Sequence, residues 1–371
     1  MASTSNLFKP LRVGRSDLQN RIVLAPLTRF RANEDHVPIQ PLVSDYYAQR
    51  ASSPGTLLIS EGAIIAPRAG GYPHAPGIWS QAQIDSWKKV TEAVHERKSF
   101  IYLQLWAFGR AAAEDGLKKD AGPDAKVVSS GDIPFKGGAK PTPLTEDEIQ
   151  WYIKQYALAA KNAIEAGFDG VEIHGANGYL VDQFTQDVSN NRTDQWGGSI
   201  ENRSRFALEV TKAVTEAVGA DRTGIRLSPF STFQGMLASD PRAQFSYLVK
   251  ELKTYNLAYL HLVESRISGN ADTESTENIN FLVDIWDNQS PVLLAGGFTP
   301  NSAVTAADVE FPDKDVLIVF GRYFISTPDL VFRIKNGIEL NPYDRSTFYN
   351  DGQPKGYTDY PFSKEYLEAK L

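Results

Sequence analysis

Residues Thr145 to Leu180 read TEDEIQWYIKQYALAAKNAIEAGFDGVEIHGANGYL, and this stretch sets the architecture expected of the whole chain. Thr145 and Glu148 stand at capping-box spacing, Ile149, Tyr152, Ile153, Tyr156 and Ala157 recur at helical intervals, and Gly167 supplies the stop. Gly170 to Ile173 then forms a short run, apolar apart from Glu172, which like its counterparts along the chain reads as a strand covered on both faces. Such strands pair in parallel and need a helix to bring the chain back.

The same alternation extends in both directions. Runs of strand length occur at Ile22 to Ala25, Thr56 to Ser60, Phe100 to Leu105, Gly224 to Leu227, Tyr259 to Val263, Val292 to Ala295 and Val316 to Phe320. Helical patterns fall at Gln81 to Arg97, Ile200 to Val218, Arg242 to Tyr255, Ile279 to Asp287, Ser302 to Asp308 and Asp329 to Lys335. Strand then helix, repeated about eight times, predicts an α/β fold: a single (β/α)8 TIM barrel taking up residues 1–371. The one long interruption, Ala107 to Pro143, is rich in Gly, Lys, Asp and Pro and follows the third strand, so it is expected as a lid or excursion over the active face.

Composition narrows the function. The chain carries 38 Lys+Arg against 45 Asp+Glu, a formal charge of −7, with no basic stripe, so nucleic acid is not an expected partner. The absence of cysteine excludes disulfides, thiolate zinc sites, cysteine nucleophiles and iron–sulfur ligation, and points to an intracellular, cytoplasmic location. Met1 to Asn6 lacks the pattern of a secretory signal, and no apolar run approaches the roughly 18 residues of a membrane span, so no membrane association is expected. Ala369-Lys370-Leu371 stands one residue from the Ser-Lys-Leu peroxisomal address; the alternative is the end of a short helix from Ser363.

Barrels of this kind assemble their chemistry just past the C-terminal ends of the strands. Those positions hold Pro26 and Thr28; Glu61 and Gly62; Gln104 and Trp106; His174 and Asn177; Arg226; Glu264 and Arg266; Gly296 and Gly297; Gly321 and Arg322. The last two pairs suit a phosphate, because bare backbone N–H groups approach the anion and a guanidinium pairs with it; the alternative is that the glycines only permit tight turns. No Gly-x-Gly-x-x-Gly follows the first strand, which excludes a Rossmann nucleotide site. His174 and Asn177 can both donate to one oxygen, as polarising a carbonyl requires, and Tyr179 adds a proton donor two residues on. The five histidines show no metal-binding spacing, so no metal is expected. A barrel glycosidase or other hydrolase is the competing class, with Glu61, Glu172 and Glu264 as its only carboxylates near strand ends.

Further blocks sharpen this: Ala25-Pro26-Leu27-Thr28-Arg29, Ser60-Glu61-Gly62, Gln104-Leu105-Trp106, the Glu172 to Tyr179 cluster, Trp196 to Arg203, Arg226-Leu227-Ser228-Pro229 and Phe320-Gly321-Arg322-Tyr323-Phe324. In this order they resemble the Old Yellow Enzyme family of flavin-dependent ene-reductases on a (β/α)8 barrel, and within it the yeast and fungal group of NADPH dehydrogenases. The likeness runs from Leu7 to Phe362.

The resemblance implies a tightly but non-covalently bound FMN. Pro26, Leu27 and Gly62 would line its ring, Thr28 would meet the O4 side, Gln104 the pyrimidine edge and Arg226 the N1–C2=O region, while Gly296, Gly297, Gly321 and Arg322 fall at the phosphate. It implies ping-pong reduction of α,β-unsaturated carbonyl compounds, enones or enals, by NADPH: hydride passes through the flavin to the β-carbon, His174 and Asn177 hold the oxygen, and Tyr179 protonates the α-carbon. Tyr72, Trp106, Phe233, Phe348 and Tyr349 match positions that shape the substrate side, and a monomer or homodimer is expected. Two departures stand out: Gln234-Gly235 where relatives often carry Asn, and Gly297 where yeast members carry Asn.

Overall fold

The computed structural model describes residues 4–370 apart from Asn270 and Thr276, so Met1 to Ser3 and the last residue of the Ala-Lys-Leu tripeptide lie outside the described residues. Among the described residues, eight parallel strands close into a barrel: β1 Ile22–Leu24, β2 Leu57–Ile64, β3 Phe100–Trp106, β4 Gly170–Gly175, β5 Thr223–Leu227, β6 Tyr259–Val263, β7 Val292–Ala295 and β8 Val316–Phe320. Each pairs with the next, and β8 returns to β1 through Ile318 opposite Ile22. The expected (β/α)8 barrel is present, with every strand where the sequence places it.

Period-two alternation sorts the strand side chains into two apolar layers. Leu24, Leu58, Leu103, Ile173, Ile225, Leu260 and Leu294 point outward into the main core. Val23, Leu57, Ile59, Tyr102, Tyr259, Leu293 and Leu317 fill the interior, where the rings of Tyr102 and Tyr259 lie 5.5 Å apart. Val13 and Leu18 join this inner cluster from an N-terminal hairpin of Leu11–Val13 and Ser16–Leu18, which plugs the lower end of the barrel. The sequence reading assigned nothing to this hairpin. Above the tyrosines, the buried Gln104, Glu172 and His261 and the half-buried Arg226 form a polar layer on β3 to β6.

The helices follow the periodicity, with instructive exceptions. Glu146–Glu165 starts at the expected capping box, the Thr145 hydroxyl accepting from the Glu148 N–H and the Glu148 carboxylate accepting from the Thr145 N–H. Leu42–Arg50 was not expected. Its inner face carries Arg50, fully buried and donating to the carbonyls of Phe324 and Tyr357, and an inward guanidinium breaks the apolar period. The segment expected as Ser302 to Asp308 is a helix Pro300–Thr305 running into one wider π turn, Ala306–Glu310. The excursion 107–143 contains a helix Glu114–Ala121 and a short pairing of Val128–Ser129 with Thr142–Pro143. It is tied to the fourth and fifth loops by Ser129 donating to the Gln183 side chain and Arg110 donating to the Gln234 carbonyl. No described helix is long and apolar enough to cross a membrane.

Candidate active site

The mouth at the C-terminal ends of the strands opens into a cleft of two adjoining compartments. They share Leu27, Thr28, Arg226, Gly269 and Tyr349. The first reaches the β7 and β8 loops at Gly296, Gly297, Gly321 and Arg322, with Phe348 on its wall. The second reaches Pro26, Gln104, Trp106, His174, Asn177, Tyr179 and Phe233. The structure therefore gathers all but two of the expected site residues. Gly62 and Tyr72 are not among the lining residues: a side-chain carbon on Gly62 would come within 2.7 Å of the Trp106 indole, and Tyr72 packs on Phe108 at 4.7 Å. No residue of the excursion lines the cleft.

At the far end of the first compartment the backbone is bare. Gly297 adopts φ +64°, a conformation that suits glycine, and a side-chain carbon on Gly321 would meet nothing nearer than Leu27 at 3.4 Å. Arg322 stands beside these loops and grips Asp272 with two hydrogen bonds of 2.8 and 2.7 Å. Asp272 belongs to a small hairpin of Ile267–Ser268 and Ala271–Asp272 that the sequence reading missed, and whose Ile267 and Gly269 line the cleft. The Gly269-Asn270 pair between two short runs is the kind of turn signal that would have found it.

The second compartment is built on the β4 loop. Asn177 sits in the left-handed region at φ +58°, which asparagine tolerates, and its N–H donates to the Ser228 hydroxyl at 2.8 Å. The Gly178 N–H donates to Asp182 at 2.9 Å, and the Gln183 amide donates to the Gly178 carbonyl at 2.7 Å, so the loop is pinned on both sides. His174 is buried, and its Nδ1 has no hydrogen-bond partner among the described residues. Burial first, then the positive charge of Arg226, holds its pKa well below the usual value, so it is a neutral imidazole. The Tyr179 ring stands edge-on to Trp106 at 4.9 Å and 4.9 Å from the His174 ring. Burial raises its phenol pKa, keeping the proton in place.

Burial pushes the Asp182 carboxyl up to about 7, against the lowering hydrogen bonds from Gln186 and Gly178. A raised carboxyl favours the fold while protonated, and that contribution is lost as the pH rises from its unfolded value through 7. Asp182→Asn is therefore expected to gain on wild type by on the order of 3 kcal/mol between pH 5 and pH 8, read from urea denaturation at the two pH values. An unchanged gap would refute the assignment.

None of the three carboxylates considered for a hydrolase lines the cleft. Glu61 accepts from the Arg29 N–H at 3.0 Å, and burial pushes it up to about 7. Glu264, half-buried, is raised chiefly by burial as well. Glu172 is fully enclosed: it accepts from the Gln104 amide at 2.8 Å and the Tyr259 hydroxyl at 3.0 Å, and lies 2.7 Å from His261 Nδ1. Opposed carboxylates facing a sugar are absent among the described residues, and the hydrolase alternative is not favoured.

Comparison with known proteins adds the lineage. The profile described as the NADH:flavin oxidoreductase / NADH oxidase family matches residues 6–341. A chanoclavine-I aldehyde reductase of Penicillium roqueforti is 57% identical, covering 98% of each chain. A protein of Claviceps fusiformis described as a probable inactive dehydrogenase is 50% identical, covering 99% of this chain and 97% of its own. The crystal structure of Old Yellow Enzyme from Pichia sp. superposes with a TM-score of 0.89 at 40% identity, over 98% of this chain and 95% of that one.

Proposed function

The chain belongs to the NADH:flavin oxidoreductase / NADH oxidase family, as an FMN-dependent oxidoreductase of the Old Yellow Enzyme group, and from that premise we propose that it reduces the C=C bond of small α,β-unsaturated aldehydes and ketones with NADPH. The two partners would use one site in turn, giving ping-pong kinetics.

The residues present fit the cofactor. Open backbone at Gly297 and Gly321 beside the Arg322 guanidinium, with Gly296 packed on Glu264 next to them, suits a phosphate dianion. Pro26 and Leu27 offer an apolar wall, and Thr28, Gln104 and Arg226 a polar one. Arg226 Nε is buried without a partner among the described residues, an orphan donor that the carbonyl-bearing edge of a flavin would satisfy. The chemistry that bound FMN would supply there is hydride transfer, from the nicotinamide to the β-carbon of the enone.

The chain's own residues would do the rest. His174, neutral, and Asn177 hold the substrate carbonyl oxygen with two hydrogen bonds, drawing electron density from the β-carbon. Tyr179 delivers its phenolic proton to the α-carbon, completing addition of hydride and proton across the double bond. Trp106, Phe233 and Tyr349 exclude water around the guest, while Gly62 and Tyr72 support that wall from behind. The observation that carries this reading is the convergence of an unpartnered neutral imidazole, an amide and a protonated phenol on one wall of the cleft. The relative named for an aldehyde extends the proposed substrates to enals.

Purified protein supplied with FMN is expected to turn yellow, bleach with NADPH without oxygen, and regain its colour on adding cyclohexenone. Protein that takes up no FMN would overturn the proposal, and bleaching without reoxidation by the enone would overturn the substrate class.

A further inference from the structure

Resting on the FMN reading above, we propose that Glu172 is a positioning residue for the cofactor: one buried carboxylate aims the Gln104 amide and offsets the Arg226 charge, and thereby sets how strongly the site favours the reduced, anionic cofactor. Gln104 lies opposite Glu172 in the β3–β4 register, and its amide N–H₂ donates backwards to the carboxylate at 2.8 Å. Its carbonyl end is thus turned away from Glu172 and left for the cleft that Gln104 lines. Arg226, on the neighbouring strand, faces the same carboxylate electrostatically while lining both compartments.

A carboxylate with no solvent exposure persists only when its charge is compensated. Burial alone would raise Glu172, but His261, Arg226 and Gln104 outweigh it and hold it below its ordinary value, so it is ionised. Burial keeps His261 neutral, donating from Nδ1, and the Tyr259 hydroxyl donates as a third neutral partner. Arg226 is therefore the cation that balances the layer. Its field at the cleft is what remains after Glu172 has cancelled part of it, and each neutral donor to Glu172 tunes how much is cancelled.

The test is the midpoint potential of the flavin in the holoenzyme, with FMN affinity measured beside it. Glu172→Gln keeps the shape and removes the charge, so Arg226 acts unopposed: binding of reduced over oxidised FMN should rise about tenfold, an upward shift of roughly 30 mV for the two-electron couple. Tyr259→Phe withdraws a donor and leaves the carboxylate more exposed to Arg226, so the potential should shift the opposite way and by less. A packing role alone gives no such opposition of sign. Retained FMN with unshifted potentials, or shifts of the same sign, would overturn the inference while leaving the FMN reading intact; wild-type protein without FMN uptake would overturn both. Should Glu172→Gln not fold, the sign of the Tyr259→Phe shift decides.

Discussion

Tyr179→Phe is expected to leave the bleaching of the flavin by NADPH near the wild-type rate while slowing enone turnover by about 10²- to 10⁴-fold, the range for losing a positioned general acid. The substitution removes one oxygen and keeps the ring, so the edge contact with Trp106 and the packing on His174 survive. The phenol has no part in taking hydride from the nicotinamide, and protonation of the α-carbon is the step that should suffer. Stopped-flow measurement of the two halves separates them. Equal slowing of both would make Tyr179 a wall residue and remove the proton donor from the proposed mechanism.

The second large effect is expected at the other end of the cleft. Arg322→Ala should weaken FMN binding by about 2–4 kcal/mol, roughly 30- to 10³-fold, because the guanidinium–phosphate contact proposed above would be lost from a partly buried position. The loss is less than the gross strength of two charge-assisted bonds, since Arg322 has an alternative partner in Asp272. That pair is a weak competitor: Asp272 is 64% exposed against 17% for Arg322, and exposed pairs contribute about 0–1 kcal/mol. Without Arg322, the Asp272 carboxylate would face the phosphate with Arg345, 3.6 Å away, as its remaining ion-pair partner among the described residues. Arg322→Ala combined with Asp272→Asn should therefore recover part of the affinity, as read from quenching of FMN fluorescence. Unchanged affinity in the single variant would move the phosphate away from these loops.

The sequence makes the barrel legible because its strands are buried on both faces, so eight short, largely apolar runs stand out, even though those of β3 to β6 each carry one polar residue of the inner layer. The capping box at Thr145 and Glu148 fixes one helix start to the residue. Elements escaped notice where polar side chains turn inward: Arg50 spoils the apolar stripe of Leu42–Arg50, and the Gly116 and charges of Glu114–Ala121 leave only Leu117 buried. The cleft walls were legible because strand ends are fixed by topology, which is why His174, Asn177, Arg226 and Arg322 could be grouped from positions far apart in the chain. Asp272 and the Glu172–His261–Tyr259 layer were not. Asp272 lies nine residues past the end of β6 at Val263, on a hairpin whose return depends on tertiary contact. Glu172 carries its meaning in depth, one position below the rim, and depth is not written in spacing.

The stacked interior of the barrel has a further consequence. Hairpin, tyrosine pair and polar layer occupy the lower storeys, whereas Phe233, Gly269 and Tyr349 stand on the loops at the top. Exchanging Phe233, which lines the second compartment but not the first, alters the opening without touching the lattice of bonds beneath it. The two tasks of keeping a pigment and choosing a guest are thus inherited separately, and a lineage using this scaffold can change its diet by drift at the rim while its foundation stays fixed.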